Sequence, residues 1–290
     1  MIMEKGTMLC ELEKIENLPT LPIVVEQIQK LIASPNSNMM QIASIIARDQ
    51  AIAARVIRLI NSAFYGLGGK VVSIQQAIVL LGLNTVKNLI VGVSVVKMFE
   101  ESAGSASMFD SQKFWVHAFA CALGAKMIAK KINAREPEDF FLAGLLHDIG
   151  ILVLHQFFHQ EFVGIMQDAA GRKIDYVKAE EDRLGVTHAE IGEYMGRKWK
   201  IPELLVHGIR YHHQPLFAGR ELAGSILVIA AVHVADTMAI NRGIDMGYRN
   251  GTSQCEEHAL KRLGLSMPEI DAVFDDVEKD VKSAAKEWGI

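Results

Sequence analysis

A chain of 290 residues, half of them hydrophobic, is long enough to bury one large core or two smaller ones, and its 22% of charged residues is the balance of a globular rather than a disordered protein. A net charge of −4 with no long basic stretch speaks against strong non-specific binding to nucleic acid. Mean hydropathy is +0.19, yet the apolar runs at 78–83, 89–96 and 225–234 are each cut short by charge or turn residues before the roughly 18 uncharged residues that span a bilayer.

The first stretch, MIMEKGTMLCELEK, carries acidic residues and no apolar core of a signal sequence, so a cytoplasmic chain is expected. Helical periodicity then runs almost without interruption. Ile23, Val24, Ile28, Leu31 and Ile32 recur at helical spacing, and Asn36 to Asn38 read as a turn. MMQIASIIA follows, then DQAIAARVIRLINSAFYG, where Ile52, Val56, Ile57 and Ile60 form one apolar face and Asp49 suits an N-cap. Gly66, Gly68 and Gly69 end that helix. Ser73 caps IQQAIVLLG, Gly82 stops it, and a further helix runs from Asn84 to about Phe99.

ESAGSAS, 101–107, is small and polar and reads as a linker. It divides the chain into an N-terminal helical part, 1–104, and a second part, 105–290. Helices are predicted there at 111–131, 137–150 (with Pro137 in the first turn), 151–170, 173–184, 187–199, 202–212, 219–241, 255–263 and 267–287. Strand signals are scarce, so the expected fold is all-α. Cys10, Cys121 and Cys255 are scattered and odd in number, which argues against a disulfide framework or a thiolate zinc site and suits small buried apolar residues.

All ten histidines lie beyond the linker, which places any metal or proton chemistry there. His117, in FWVHAFACALGAKMIA, reads alone as a hydrogen-bonded core histidine. His147 and Asp148 are adjacent in FLAGLLHDIG. Helical neighbours point about 100° apart, so both can face one ion only at a distorted or terminal turn, which Gly150 makes plausible. Thr187 and Glu190 form a capping box, putting His188 in the first turn, where alone it would read as exposed. His212 and His213 precede Gln214-Pro215 and belong at a helix C-terminus. Asp236, in the apolar run VHVADTMA, needs a base or a metal as partner. His155 and His159 are four apart and would share a helix face. His207, His233 and His258 read as structural or surface residues, and Lys198 and Arg210 as surface cations. The Gly66–Gly69 tract lacks the context of a phosphate loop.

Taken in order, His117, His147-Asp148 and Asp236 resemble the H…HD…D signature of the HD superfamily of metal-dependent phosphohydrolases. LPTLPIVVEQI, IIARDQAIAARVIRLINSAFYG, SIQQAIVLLGLNTVKNLIV, THAE and YHHQP resemble its HDOD branch, over about Leu18 to Asp236. The resemblance implies an HD-like helical core with an N-terminal helical subdomain, acting as a bacterial signalling module with a protein partner. It implies a first metal site of His117, His147, Asp148 and Asp236. His188, His212 and His213 match the extra histidines of two-metal HD-GYP enzymes, with Asp148 bridging. This set suits one or two ions of iron, manganese, zinc or nickel. The rival reading is an active phosphohydrolase or phosphodiesterase on a nucleotide or cyclic dinucleotide. Against it, Ile151 stands where HD-GYP enzymes have Lys, and the GYP tract is missing. A third reading is a di-iron redox sensor. No catalytic residue, organic cofactor, nucleic-acid partner or membrane segment is assigned.

Overall fold

The structure, a computed structural model, describes residues 5–32, 38–61, 65, 67, 69–100, 109–217, 222–246 and 255–288. The regular structure of these residues is all helical, with no strand among them. The chain divides into two compact units, Met1–Leu18 with Gly104–Val281, and Pro19–Ala103 with Lys282–Ile290. The predicted linker at 101–107, and Gly66 and Gly68 of the Gly66–Gly69 tract, lie outside the described residues.

A first helix that periodicity did not predict, α1 (Lys5–Lys14), buries Met8 and Leu12 and is counted with the first unit. The second unit is built from α2 (Ile23–Ile32), α3 (Met39–Arg48), α4 (Gln50–Ile60), α5 (Ile74–Leu81) and α6 (Leu83–Glu100). Asn38 and Gln41 close a reciprocal capping box on α3. Asp49 both ends α3 and caps α4, its carboxylate accepting from Ile52 N–H at 3.0 Å. Ser73 caps α5, and Gly82 ends it at φ +85°, a conformation costly for any residue with a Cβ. Asn61 exchanges two 2.7 Å hydrogen bonds with the Val71 backbone and so closes the loop after α4. Residues 88–96 of α6 are buried all round, which makes it this unit's central helix.

In the first unit that place is taken by α7 (Ser111–Lys131), capped by Asp110 and buried on nearly every side. The predicted helix 137–150 is instead two: α8 (Pro137–Leu146) and α9 (Ile149–Phe157), parted at His147-Asp148. The predicted 151–170 also divides, at Phe158, where α10 (His159–Arg172) begins. There follow α11 (Tyr176–Leu184), α12 (His188–Lys198), α13 (Glu203–Tyr211), a 3-10 turn at Pro215–Phe217, α14 (Ile226–Asn241), α15 (Glu257–Leu263) and α16 (Met267–Trp288). The start of the predicted 219–241 helix lies partly outside the described residues.

Helices α8 and α14 pack on α7, while α12 packs on α9 and α13. Close approach of α8 to α7 depends on Gly144, where a Cβ would lie 2.7 Å from the Cys121 carbonyl. Beside it a buried ion pair, Lys126 to Glu138 at 2.5 Å, ties the same two helices. One stretch, Pro137–Phe157, is as long and apolar as a membrane-crossing helix, contrary to expectation. It is 83% buried inside the protein, as a core element is.

Candidate metal centre

The His147-Asp148 pair occupies the junction that adjacent ligands require. His147 is the C-cap of α8 and Asp148 the N-cap of α9, with Asp148 at φ −99°, ψ 14°. That kink turns both side chains inward. Gly150 allows it to pack: a Cβ there would lie 2.0 Å from the His188 carbonyl oxygen, so α12 can bring His188 close only against a glycine.

All seven predicted residues are brought together. His117 Nε2 lies 3.2 Å from Asp236 Oδ1 and 3.7 Å from Asp148 Oδ2. His147 Nε2 lies 3.2 Å from Asp148 Oδ2 and 3.7 Å from Asp236 Oδ1. On the other side, Asp148 Oδ1 is 3.0 Å from His188 Nε2 and 3.4 Å from His212 Nε2. His213 Nε2 approaches His188 Nε2 to 3.0 Å. One oxygen of Asp148 therefore faces each half of the cluster. His213 is half-buried and the other six are buried.

The ring orientations follow one rule. Nδ1 of His117, His147 and His212 lies 2.7 Å from the carbonyls of Ile244, Gly144 and Ile209, which can only accept. Nδ1 of His188 lies 2.7 Å from Glu180 Oε2. Each Nδ1 therefore carries a hydrogen, and each Nε2 is left to point into the cluster, the orientation that outer partners impose on metal-ligating histidines. His147 Nε2 is buried and, though 3.2 Å from Asp148 Oδ2, makes no well-formed hydrogen bond. Two groups of side chains have donor atoms close enough to hold an ion: His117, Cys121, His147 and Asp236, and Asp148, His188, His212 and His213.

The electrostatics show what the cluster demands. Burial opposes charge on His147, but the Asp148 and Asp236 carboxylates overcome it and raise the imidazole to about 9. Burial likewise opposes charge on His188, and Glu180 with Asp148 raises it to about 10. Burial pushes His212 down to about 4, helped by His147 and His188. The carboxylates thus draw positive charge into a dry interior, as protons where no cation is bound.

Two contributors, Glu180 and Cys121, escaped the sequence, and a third, His233, has a more specific role than expected. Glu180, on α11, accepts from both Nδ1 and N–H of His188 and is fully buried. Cys121, expected to be plain filler, sets its sulfur 3.6 Å from His117 Nε2. Its signal was present, since residues 117 and 121 of one helix share a face. His233 is structural in a specific way. Its Nδ1 donates to the His212 carbonyl at 2.7 Å and its Nε2 accepts from Glu256 N–H at 3.1 Å, which props the ligand-bearing turn.

The remaining candidates fall elsewhere. The helix breaks at Phe158 between His155 and His159, yet their rings still meet edge to face at 5.3 Å; His155 also stacks on Phe109 at 4.5 Å, and neither joins the cluster. His207 bonds Ser225, His258 bonds Arg262, and Ile151 is buried. Arg210 is engaged by Glu190 at 3.5 Å and Glu193 at 3.2 Å, and Lys198 is exposed.

The fold and the cluster define a helical protein with a buried histidine–aspartate centre at a broken helix. A family model described as the HDOD domain matches residues 18–215, and the chain belongs to the HDOD family. Among solved structures it resembles an HDOD domain protein of unknown function from Geobacter sulfurreducens, at 25% identity over 98% of each chain and a TM-score of 0.79. It shares its fold with a candidate signal transduction protein from Marinobacter aquaeolei VT8, at 24% identity over 94% of this chain and 60% of that one, TM-score 0.74. It also shares it with a candidate phosphohydrolase from Shewanella amazonensis SB2B, at 23% identity over 96% of each chain, TM-score 0.71. The chain spans less than half the length of the curated relatives it matches, 42% of one and 30% of the other.

Proposed function

We propose that this chain is a regulatory signalling module whose HD half holds one or two transition-metal ions, and that it acts on a protein partner rather than as a hydrolase. The observation that carries the metal is the set of Nε2 atoms, each aimed inward by a bonded Nδ1, around two carboxylates. His117, His147 and Asp236 would hold one ion, His188, His212 and His213 a second, and Asp148 would serve both. Imidazole with carboxylate suits iron, manganese, zinc or nickel. When bound, such ions supply Lewis acidity and a water of lowered pKa.

Two features favour regulation over turnover. Six of the seven side chains are buried, which suits a held ion better than a large phosphorylated substrate. Arg210 is also spoken for by two glutamates, and position 151 holds an apolar Ile instead of a phosphate-binding Lys. The rival, a metal-dependent phosphodiesterase, rests on Asp148 presenting an oxygen to each half. Elemental analysis of protein purified without chelator should find about one to two transition-metal ions per chain; less than about 0.2 would end the metal reading. A panel of nucleotides and cyclic dinucleotides with Mn2+ or Fe2+ should show no turnover. Turnover abolished by Asp148→Ala in a folded variant would install the hydrolase instead.

A further inference from the structure

The geometry points to Cys121 as a further protein ligand, beside the shared Asp148, in the half-site of His117, His147 and Asp236, making it a site for a thiophilic ion such as Zn2+ or Co2+. This inference rests on the metal reading above. Cys121 lies one turn after His117 on α7, is fully buried, and sets Sγ 3.6 Å from His117 Nε2. Its sulfur lies within 4.8 Å of the donor atoms of His147 and Asp236 as well.

The separations from His117 Nε2 are those of a single coordination sphere. With Zn–N and Zn–O bonds of about 2.0–2.2 Å and Zn–S of about 2.3 Å, tetrahedral ligand atoms stand roughly 3.3–3.6 Å apart. The observed Sγ–Nε2 distance is 3.6 Å, and the His–Asp236 distances are 3.2 and 3.7 Å. His147 adds a second donor atom: its buried Nε2 makes no well-formed hydrogen bond and lies 3.7 Å from Asp236 Oδ1, free to turn to an ion. His117 cannot use its other nitrogen on the thiol, because Nδ1–H is committed to the Ile244 carbonyl.

Charge agrees with geometry. A thiolate and the Asp236 carboxylate neutralise a divalent ion, with two neutral imidazoles and the shared Asp148 oxygen completing the set. Ligation breaks the Cys121 S–H bond, forms an S–metal bond and releases one proton to solvent. A thiolate also sets preference, since soft sulfur selects zinc-like ions over manganese or magnesium. The other half, Asp148 with His188, His212 and His213, has no sulfur, so the two halves would differ in the ion each prefers.

The test is cobalt loading of the full chain after metal removal. Co2+ bound at this half-site should give a near-ultraviolet thiolate-to-cobalt charge-transfer band, and Cys121→Ser should lose it while still binding cobalt. A Cys10→Ser/Cys255→Ser double variant keeps Cys121 as the sole thiol and should retain the band, which decides the assignment even where Cys121→Ser fails to fold. Cobalt bound stoichiometrically with no such band would overturn the sulfur ligand and leave the metal reading standing. No cobalt bound by any form would remove both.

Discussion

At the scale of single residues, the cluster is a problem of charge in a dry place. Asp148 and Asp236 are buried among imidazoles, and without a metal the charge they require arrives as protons. His147 and His188 are raised to about 9 and about 10 from an ordinary 6.5, so in the metal-free chain their stabilising charge is complete below pH 6.5. That contribution is lost as pH climbs through the raised values. His212 runs the other way. Held near 4, it stays neutral in the fold, and stability falls as pH drops from 6.5 toward 4, because the unfolded chain takes up the proton first. Metal-stripped protein should therefore melt highest in the neighbourhood of pH 6.5 and lower on both sides. Metal-loaded protein should hold its stability on the alkaline side, since ligands must be deprotonated to bind. Thermal melts of both forms from about pH 5 to about pH 9 measure this; a metal-free profile that keeps rising toward alkaline pH contradicts it.

At the scale of elements, the site exists because helices approach more closely than side chains normally permit. The α9–α12 contact is the tightest case, with a Cβ at Gly150 falling 2.0 Å from a backbone oxygen of α12 that cannot move aside alone. Gly150→Ala should force the two helices apart and carry His188 away from Asp148. The cost should be at least the roughly 1–3 kcal/mol typical of overpacking. For a chain of this size that is a melting temperature lower by several degrees. Metal content should fall in the same variant; an unchanged melting temperature would mean the helices are not held as described.

Most of these elements were legible in the sequence. Their apolar period is helical, and caps such as Asp49, Ser73 and the Thr187–Glu190 box stand where the structure has them. Breaks inside apolar runs were not legible. Nothing in the period distinguishes 137–150 as one helix from α8 and α9 as two, because both are buried on nearly every side. The seven clustered side chains could be read from motif order, since the order of ligands along the chain outlives changes in the segments between them. Glu180 could not, because its contact with His188 joins one helix to the start of the next. Cys121 is hidden for a different reason: close pairs of cysteines mark a thiolate site in a sequence, and here the partner groups are imidazoles and a carboxylate.

At the scale of the whole molecule, the regulatory reading makes a demand that a hydrolase would not. The cluster belongs wholly to the unit of Met1–Leu18 and Gly104–Val281, whereas α2 to α6 belong to the other. A module that reports the state of its metal must pass some of the binding free energy to residues that do not touch the ion, and that coupling is reciprocal between the two places. Metal binding will stabilise its own unit by mass action whatever the function, so a rise in melting temperature is not diagnostic. Hydrogen exchange resolved along the chain is, because it reads local opening segment by segment. Comparison of metal-free and metal-loaded protein should show slowed exchange around α7, α9 and α12, and also a change of either sign in the amides of α2 to α6. If the second set is indifferent to the metal while the first responds, ion binding is a private matter of the histidine-bearing unit, and the signalling reading loses its physical basis.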